Sequence, residues 1–522
     1  MDTFALAAPQ LHAVVAVPSV VDFYFTRHRF TSLGAKILCN ILSDNGLKVN
    51  YYNFPLERKS GQWIEIPKKM EYISPYLIAQ ETGKLSYFTK YQCFGPNSLE
   101  CARTIIASNP NICFISCFAF AYSEQSIELA QSIKKIKPKL PIVLGGAGPS
   151  ANPLFFIKEP AIDFVLTGEA ETSVRIFLSS LINQQVSFEK VPNLFWKESN
   201  DIKKSSITSW TENDDIAVVF SETYSKKNVI TFSTSLTRGC LKKCKFCSQF
   251  ITHGSSFRSA SIKRVKEAIE NLPHPSKFQD VNLTINFEDD NILLNHEYFK
   301  QVIDLLKNKY KKFSILSENG IDYSLLTPQH VDELIHAGMS QFNISLASTD
   351  VTIAKKENRG LEIAHYQSII QEIAKHSIPV ITYFICGFKD DTPETIANAL
   401  AFLASQPTII GISMYYAVPG IENFKDIQKF DSLPPSLCCG SSAYPWNGSL
   451  TTQTMITAFR LSRYCNLVKQ GNHSDLEKKI IEKIRSERRL YTFVTTKNER
   501  TCVPVANCDQ ELVRMFFKVL KH

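Results

Sequence analysis

Residues 238–247 read Arg-Gly-Cys-Leu-Lys-Lys-Cys-Lys-Phe-Cys and carry three cysteines, Cys240, Cys244 and Cys247, in the spacing C-x3-C-x2-C. They directly follow an apolar run, residues 229–236, that predicts a β-strand. A short loop that folds back on itself can point all three sulfurs at one centre, and three thiolates suit a soft metal. Two sites fit: a zinc site completed by His253, or an iron–sulfur cluster with one iron left open.

The bulk properties narrow the class of protein. A chain of 522 residues with 44% hydrophobic and 21% charged residues is ordinary for a globular protein of two or three domains. The formal charge of +8 includes no long basic block, so a nucleic-acid partner is not expected. The longest apolar runs are too short for a bilayer, no signal peptide is evident, and 14 cysteines are too few for a disulfide scaffold. We therefore expect a reducing, cytoplasmic setting without a membrane partner.

The N-terminal third alternates between strands and helices. Predicted strands cover residues 12–17, 47–54, 112–118, 141–144 and 162–166, and predicted helices cover 32–44, 99–108, 124–136 and 171–182. Strands that are apolar on both faces predict a parallel sheet covered by helices, which is a Rossmann-like, doubly wound α/β domain. Residues 51–97 are irregular and are predicted to form loops over one end of the sheet.

The middle of the chain repeats the alternation six times, which predicts a partial (β/α)6 barrel of the TIM type. A small, mostly helical C-terminal extension follows it. The predicted strands are residues 230–236, 281–287, 313–316, 341–346, 380–386 and 409–416. The predicted domains are a Rossmann-like domain at 1–190, a linker at 191–228, the barrel at 229–425 and the extension at 426–522.

With the aromatic Phe246 before its last cysteine, the loop at 240–247 resembles the cluster loop of the radical S-adenosylmethionine (SAM) superfamily. The resemblance implies a [4Fe–4S] cluster held by Cys240, Cys244 and Cys247. Its open iron would bind SAM and cleave it to a 5′-deoxyadenosyl radical. The resemblance extends over residues 11–181 and 229–420.

The same resemblance implies SAM contacts at the predicted strand ends, where barrel chemistry resides. A Phe-x-Asp-Asp motif would face the SAM amino group, a Ser-Glu-Asn-Gly segment resembles the superfamily's Thr-Asn-Gly, and hydroxyl and glycine positions would contact the ribose and adenine. The residues are Phe246, Asp289, Asp290, Asn319, Ser345 and Gly387. Alternative interpretations are helix capping for the two aspartates, a plain serine-rich loop around Ser345 and packing inside the loop for Phe246.

The N-terminal domain resembles the cobalamin-binding module. Ser116 ends one predicted strand, Gly145-Gly146 end the next, and both would line the slot for the nucleotide tail of cobalamin. Residues 166–171, Leu-Thr-Gly-Glu-Ala-Glu, resemble a strand-end Gly-Glu-x-Glu of cobalamin-linked radical SAM proteins, which adds Glu169 to the cofactor site. The Asp-x-His-x-x-Gly motif, whose histidine ligates cobalt in one branch, is missing. The alternative is a structural turn in a domain that has lost its ligand.

Together the resemblances imply a cobalamin-dependent radical SAM enzyme, most plausibly a methyltransferase acting on an unactivated carbon. Its partners would be a small-molecule or peptide substrate and a reductant such as flavodoxin or ferredoxin. No catalytic residue is assigned. The alternatives are a radical rearrangement or oxidation, a methylthiotransfer, and a non-enzymatic cobalamin or metal sensor.

Overall fold

The computed structural model describes residues 11–27, 30–183, 187–199, 201–223, 228–278, 281–426, 428, 430, 432–497 and 499–520. In these residues the chain forms 22 strands and 16 α-helices, numbered in chain order. The strands are β1 His12–Val17, β2 Val20–Asp22, β3 Lys48–Asn53, β4 Gln62–Trp63, β5 Glu81–Thr82, β6 Gln92–Phe94, β7 Ile112–Ser116, β8 Ile142–Gly145, β9 Phe164–Leu166, β10 Leu194–Glu198, β11 Asp201–Lys204, β12 Ser221–Glu222, β13 Val229–Thr234, β14 Thr237–Arg238, β15 Arg258–Ser259, β16 Asn282–Phe287, β17 Ser314–Leu316, β18 Phe342–Ala347, β19 Val380–Cys386, β20 Ile409–Met414, β21 Tyr491–Thr496 and β22 Glu499–Pro504. The helices are α1 Leu33–Asp44, α2 Ser98–Ala107, α3 Ser123–Ile136, α4 Ala147–Ala151, α5 Pro153–Ile157, α6 Ala170–Asn183, α7 Gln249–His253, α8 Ile262–Glu270, α9 His296–Lys309, α10 Pro328–Ala337, α11 Val351–Lys356, α12 Ile363–Lys375, α13 Pro393–Ser405, α14 Thr452–Lys469, α15 Asp475–Glu487 and α16 Gln510–Val519.

The chain divides into two compact units. The first comprises Met1–Ile64, Gln92–Ser314 and Val418–Cys438, and the second comprises Glu65–Tyr91, Ile315–Ala417 and Cys439–His522. Each unit combines strands and helices, so the predicted α/β class is confirmed.

A seven-stranded sheet dominates the first unit, in the order β11-β10-β9-β8-β7-β1-β3. Strands β3, β1, β7, β8 and β9 run parallel. Their order is that of a doubly wound, flavodoxin-like sheet, whose ligands bind outside the carboxyl ends of the strands near the switch point. The switch point lies between β1 and β7. Every residue of β1 is buried, because helices cover both faces of the sheet.

The structure differs from the sequence prediction at residues 191–228, which were expected to be a linker. Strands β10 and β11 form an antiparallel hairpin there, and β10 pairs with β9, so the hairpin extends the sheet. The physical reason is burial: Leu194, Phe195 and Trp196 are all buried against the first domain. The polar residues around this short apolar triplet conceal its strand character in the sequence.

The first unit also contains the beginning of the predicted barrel. Strand β13 runs parallel to β16, with Val229 opposite Asn282 and Thr234 opposite Phe287. After β13, the chain forms a short antiparallel hairpin of β14 and β15 in which Arg238 is paired with Arg258. All three cysteines of the loop lie between these two strands.

The second unit contains the parallel strands β18, β19 and β20. The C-terminal extension is mainly helical: α14 packs against α13 and β20, and α16 packs against α13. Residues 65–91, expected over the first sheet, belong to this unit because β5 pairs with β21. A buried ion pair between Arg460 and Glu81 reinforces the attachment. Among the described residues, no helix has both the length and the hydropathy that a bilayer span requires.

Candidate cofactor site

The cysteine loop, defined here as residues 239–257, begins with a glycine that its geometry requires. Gly239 has a φ of +80°, and a β-carbon there would collide with the carbonyl oxygen of Ser256. The loop therefore returns close to its own start. Cys240 and Cys247 are half-buried, whereas Cys244 is buried. Phe246, predicted to flank adenine, is half-buried within the same loop.

Asp289 anchors the residues that lead into the loop. Its Oδ1 atom accepts hydrogen bonds from the Leu236 N–H (2.8 Å), the Thr237 N–H (2.5 Å) and the Thr237 hydroxyl (2.7 Å). Burial raises the pKa of Asp289 to about 6, although these hydrogen bonds and the charge of Arg238 oppose the increase. Its Oδ2 atom is buried and has no hydrogen-bond partner among the described residues. An acceptor of this kind fits the cationic amino group that the sequence assigns to it.

Asp290 and Asn291 contact the loop itself. The Oδ2 atom of Asp290 accepts hydrogen bonds from the Gly239 N–H (3.0 Å) and the Gln249 side-chain amide (2.7 Å), so one carboxylate ties both ends of the cysteine triplet. The amide of Asn291 donates to the sulfur of Cys240 at 3.9 Å. Helix α9 is capped by Asn295 instead, so the helix-capping alternative for the two aspartates is wrong.

The three thiols fit an iron–sulfur cluster better than one zinc ion. Burial, together with the nearby Cys244, Asp290 and Cys240 side chains, raises the pKa of the Cys247 thiol to about 11, so the sulfurs lie close enough to interact. Zn–S bonds of about 2.3 Å would bring tetrahedral ligands within about 4 Å of one another. In the described part of the chain, the only ligand atoms that lie in threes within 4.8 Å of one another belong to Asp332, Glu372 and His376. The three cysteine sulfurs are not among them, so they do not all lie within 4.8 Å of one another.

The predicted cobalamin residues lie at neighbouring strand ends. Ser116 and Gly145 are direct partners in the parallel pairing of β7 and β8. Gly146 has a φ of +108°, and a β-carbon there would lie 2.5 Å from the carbonyl oxygen of Cys117. A β-carbon on Gly148 would lie 2.7 Å from the Cys117 sulfur. Bare backbone at a strand-end turn is what the close approach of a phosphate or nucleotide tail requires.

Glu169 has a different environment from these strand-end residues. Its Oε2 atom accepts from the Thr211 N–H (2.7 Å) and from Arg258 (2.8 Å), and its Oε1 atom contacts Arg258 (2.9 Å) and the His253 ring (3.0 Å). Burial raises the pKa of Glu169, but the hydrogen bonds from His253, Arg258 and Thr211 outweigh it and lower the pKa to about 2. Glu169 is therefore an ionised carboxylate held by protein donors.

The remaining predicted SAM residues belong to the second compact unit. A β-carbon on Gly320, which follows Asn319, would collide with the Ser345 hydroxyl, so these two strand ends touch. Gly387 has a φ of +114°, and its N–H donates to Asp391 at 2.8 Å. Its carbonyl oxygen accepts from Asn447 at 3.0 Å. The glycine turn after β19 is thus fixed from both sides.

Several site residues were not found from the sequence. Gln249 and Asn291 contact the cysteine loop or its anchor, and Arg258 binds Glu169 from 89 positions away. Glu171 was also not assigned to the site, although its position in the Gly-Glu-x-Glu segment was a sequence signal that could have identified it. For Arg258 no local pattern exists, because its role depends on the pairing of β14 with β15.

Comparisons with known proteins agree with this geometry. Residues 234–403 match the family model of the radical SAM superfamily, and residues 93–178 match that of the B12 binding domain. The chain is 25% identical over 224 residues to bacteriochlorophyllide d C-12(1)-methyltransferase of Chlorobaculum tepidum, covering 42% of this chain and 48% of the relative. It is 21% identical over 318 residues to the anaerobic magnesium-protoporphyrin IX monomethyl ester cyclase of Synechocystis sp., covering 59% and 62% respectively.

The fold is also found in a solved structure. The radical SAM methyltransferase TsrM of Kitasatospora setae, with cobalamin and a [4Fe–4S] cluster bound, matches with a TM-score of 0.56 at 13% identity, covering 79% of this chain and 74% of that one. At this identity the likeness shows the fold alone.

The sheet, the cysteine loop and the two matched domains define an iron–sulfur protein with a second, cobalamin-type domain. Residues 234–403 match as a member of the radical SAM superfamily, and residues 93–178 match as a B12-binding domain. Membership implies a [4Fe–4S] cluster, SAM and cobalamin as cofactors, and it requires a substrate and a reductant. The matched part of the chain spans about half of the first curated relative and about three fifths of the second.

Proposed function

We propose that this chain is a cobalamin-dependent radical SAM enzyme that methylates an unactivated carbon. When bound, the cluster supplies the electron that cleaves SAM to a 5′-deoxyadenosyl radical, and cobalamin supplies the methyl group. The supporting observation is that the cysteine loop contacts the strand-end segment of the B12-type domain directly, through His253 and Glu169, whose side chains lie 3.0 Å apart. The printed names of the Chlorobaculum and Kitasatospora relatives, both methyltransferases, favour methylation.

The residues have distinct proposed roles. Three cysteines hold the cluster, while Asp289, through its unpartnered oxygen, faces the SAM amino group. Phe246, Asn319, Ser345 and Gly387 are each kept as a proposed SAM contact, and Ser116, Gly145 and Gly146 are kept as proposed contacts of the cobalamin tail. Asp290 serves the site by holding both ends of the cysteine triplet.

The finer assignments are also proposals. We keep the boundaries 1–190, 229–425 and 426–522, the first two of which contain the matches at 93–178 and 234–403, and we propose that residues 194–204 belong to the first domain, because the hairpin of β10 and β11 extends its sheet. We propose a small-molecule or peptide substrate, flavodoxin or ferredoxin as reductant, and a cytoplasmic setting. The cytoplasmic setting is supported by the count of 14 cysteines in 522 residues, which is too low for a disulfide scaffold.

Product analysis tests the proposal. The full-length protein is reconstituted anaerobically with iron, sulfide, SAM and hydroxocobalamin, and the nucleosides are measured by mass spectrometry. We expect both 5′-deoxyadenosine and S-adenosylhomocysteine. Deoxyadenosine alone would favour a radical oxidation or rearrangement. Neither nucleoside, with zinc in place of iron, would contradict an enzymatic role.

A further inference from the structure

We propose that Glu169 and Glu171 are positioning residues that fix the cysteine loop against the carboxyl edge of the first sheet, and that neither contacts cobalamin. This inference rests on the proposed function and deepens it, because it names the residues that hold one cofactor site against the other. It reassigns Glu169, which the sequence placed among the cofactor contacts.

Two arginines receive the two carboxylates. Arg258 binds Glu169 through both terminal nitrogens, at 2.8 and 2.9 Å, which is a bidentate pair. The guanidinium of Arg238 lies 3.6 Å from Glu171 Oε1 and both side chains are almost fully buried, so this pair is a charge contact beyond hydrogen-bond distance, and that oxygen has no hydrogen-bond partner among the described residues. Since Arg238 and Arg258 face each other in the pairing of β14 with β15, the two glutamates secure both strands at the base of the cysteine loop.

The cysteine loop itself contacts Arg258 and Glu169. Arg258 also donates to the carbonyl oxygens of Thr211 and His253, each at 2.5 Å, and the His253 ring contacts Glu169. Every oxygen of Glu169 is thus engaged by protein donors, and the residue is only 6% exposed. A carboxylate in this state has no accessible lone pair with which to orient a cofactor, whereas removing its charge would leave a buried arginine unpaired.

The packing around Trp210 supports the proposal independently of the ion pairs. Trp210 lies between Gly168, which precedes Glu169, and Gly254, which ends α7. A β-carbon on Gly168 would lie 3.0 Å from the Trp210 ring, and one on Gly254 would lie 2.9 Å from it. Both glycines have positive φ values, +70° in each case. The indole therefore fills the gap between the Gly-Glu turn and the cysteine loop, and the two segments form one rigid contact.

A matched control exists in the same region. Asp215 pairs with Arg175 of α6 at 3.4 Å and with Arg264 of α8 at 3.9 Å, so it connects the helices that follow the Gly-Glu turn and strand β15. These side chains are 39–48% exposed, and exposed ion pairs contribute little. Asp215→Asn removes a carboxylate without disturbing the buried junction.

The first experiment measures amide hydrogen exchange in the anaerobically purified full-length protein. In Glu169→Gln and in Glu169→Gln/Glu171→Gln, we expect exchange in residues 239–257 to accelerate about tenfold or more, with the strands of the first sheet unchanged. Asp215→Asn should match the wild type. Arg258→Lys keeps the charge but loses the bidentate geometry and should accelerate exchange less. The proposal would be overturned if amide exchange in residues 239–257 were unchanged in Glu169→Gln, in Glu169→Gln/Glu171→Gln and in Arg258→Lys.

The second experiment separates positioning from cofactor contact. After reconstitution, Glu169→Gln should bind hydroxocobalamin within about twofold of the wild type and should still form deoxyadenosine from SAM, since neither ligand set is altered. The assay contains reduced cobalamin as the methyl acceptor and measures the ratio of S-adenosylhomocysteine to deoxyadenosine. This ratio should fall about tenfold in Glu169→Gln, because methyl transfer depends on the spacing of the two cofactor sites. Weakened cobalamin binding with unchanged loop exchange would show that Glu169 contacts the cofactor. A wild type that cleaves no SAM would contradict the proposed function, while the exchange result would still decide the positioning role.

Discussion

The cysteine loop and the glycine turn at Gly145–Gly146 both lie at strand ends of the first compact unit, but different forces hold them. Carboxylates hold the cysteine loop: Asp289 and Asp290 from one side, Glu169 and Glu171 from the other. The glycine turn is held by backbone geometry, with a positive φ at Gly146 and direct contact with Cys117. A loop that must present three thiolates needs external anchors, whereas a turn that presents bare backbone needs only the absence of side chains.

The largest expected effect comes from the thiols that the carboxylates hold in place. Cys240→Ser/Cys244→Ser/Cys247→Ser should abolish iron and sulfide incorporation and lower deoxyadenosine formation at least about a hundredfold, because hydroxyls do not replace thiolates as cluster ligands. Iron and sulfide analysis with nucleoside detection checks this prediction. Cys502→Ser, at an exposed position in the second unit, is the control and should behave as the wild type.

The cysteine loop, which carboxylates hold in place, should be sensitive to acid. Against the opposing effect of burial, hydrogen bonds from His253, Arg258 and Thr211 lower the folded-state pKa of Glu169 from its ordinary value of 4.5 to about 2. Ionised Glu169 therefore stabilises the fold above pH 4.5, and this stabilisation is lost as the pH falls through about 2. At neutral pH Glu169→Gln should lower the free energy of unfolding by about 3 kcal/mol.

Denaturant unfolding at a series of pH values measures this dependence. The difference between wild type and Glu169→Gln should shrink steadily as the pH falls from 4.5 toward 2. A difference that stays constant over this range would mean that the charge of Glu169 does not contribute.

The glycine turn at Gly145–Gly146, which backbone geometry holds, should lose stability when a single methyl group is added and should not respond to pH. Gly146→Ala places a β-carbon at a positive φ and 2.5 Å from the Cys117 carbonyl oxygen, so it should destabilise the fold by about 2 kcal/mol. Cobalamin binding should weaken while cluster content stays normal. Gly34→Ala in α1, where a β-carbon meets nothing within 4 Å, should be neutral or slightly stabilising. Equal effects of the two substitutions on unfolding would contradict the assigned role of the turn.

The smallest expected effect concerns the electronic environment of the cluster. Asn291→Leu removes the amide donor 3.9 Å from the Cys240 sulfur, and donors to sulfur raise the reduction potential of such clusters. The variant should therefore have a lower midpoint potential at unchanged iron content, as measured by redox titration with electron paramagnetic resonance. An unchanged potential would show that the amide does not interact with the ligating sulfur.

Local patterns predicted much of the fold and the centre of the site. Strands β1 and β19 begin and end as predicted, at residues 12–17 and 380–386, because an apolar run is a local signal. The cysteine spacing and the adjacency of Ser116 and Gly145 are local in the same sense.

What failed depends on contacts between distant segments. Residues 65–91 join the second unit because of pairing with β21, more than 400 positions away, and β10 is a strand because it docks beside β9. The contact of Glu169 with Arg258, 89 positions away, was not foreseen either, and the prediction of Glu169 as a cofactor contact was made without it. A buried ion pair of this kind leaves no periodicity in the sequence.

The most direct test of the central claim is electron paramagnetic resonance of the reduced, anaerobically reconstituted protein before and after addition of SAM. If three cysteines hold a cluster with one open iron, the protein should contain about four iron and four sulfide per chain. Its signal should also change when SAM binds. Zinc without iron, or a reduced cluster whose spectrum is indifferent to SAM, would contradict the account.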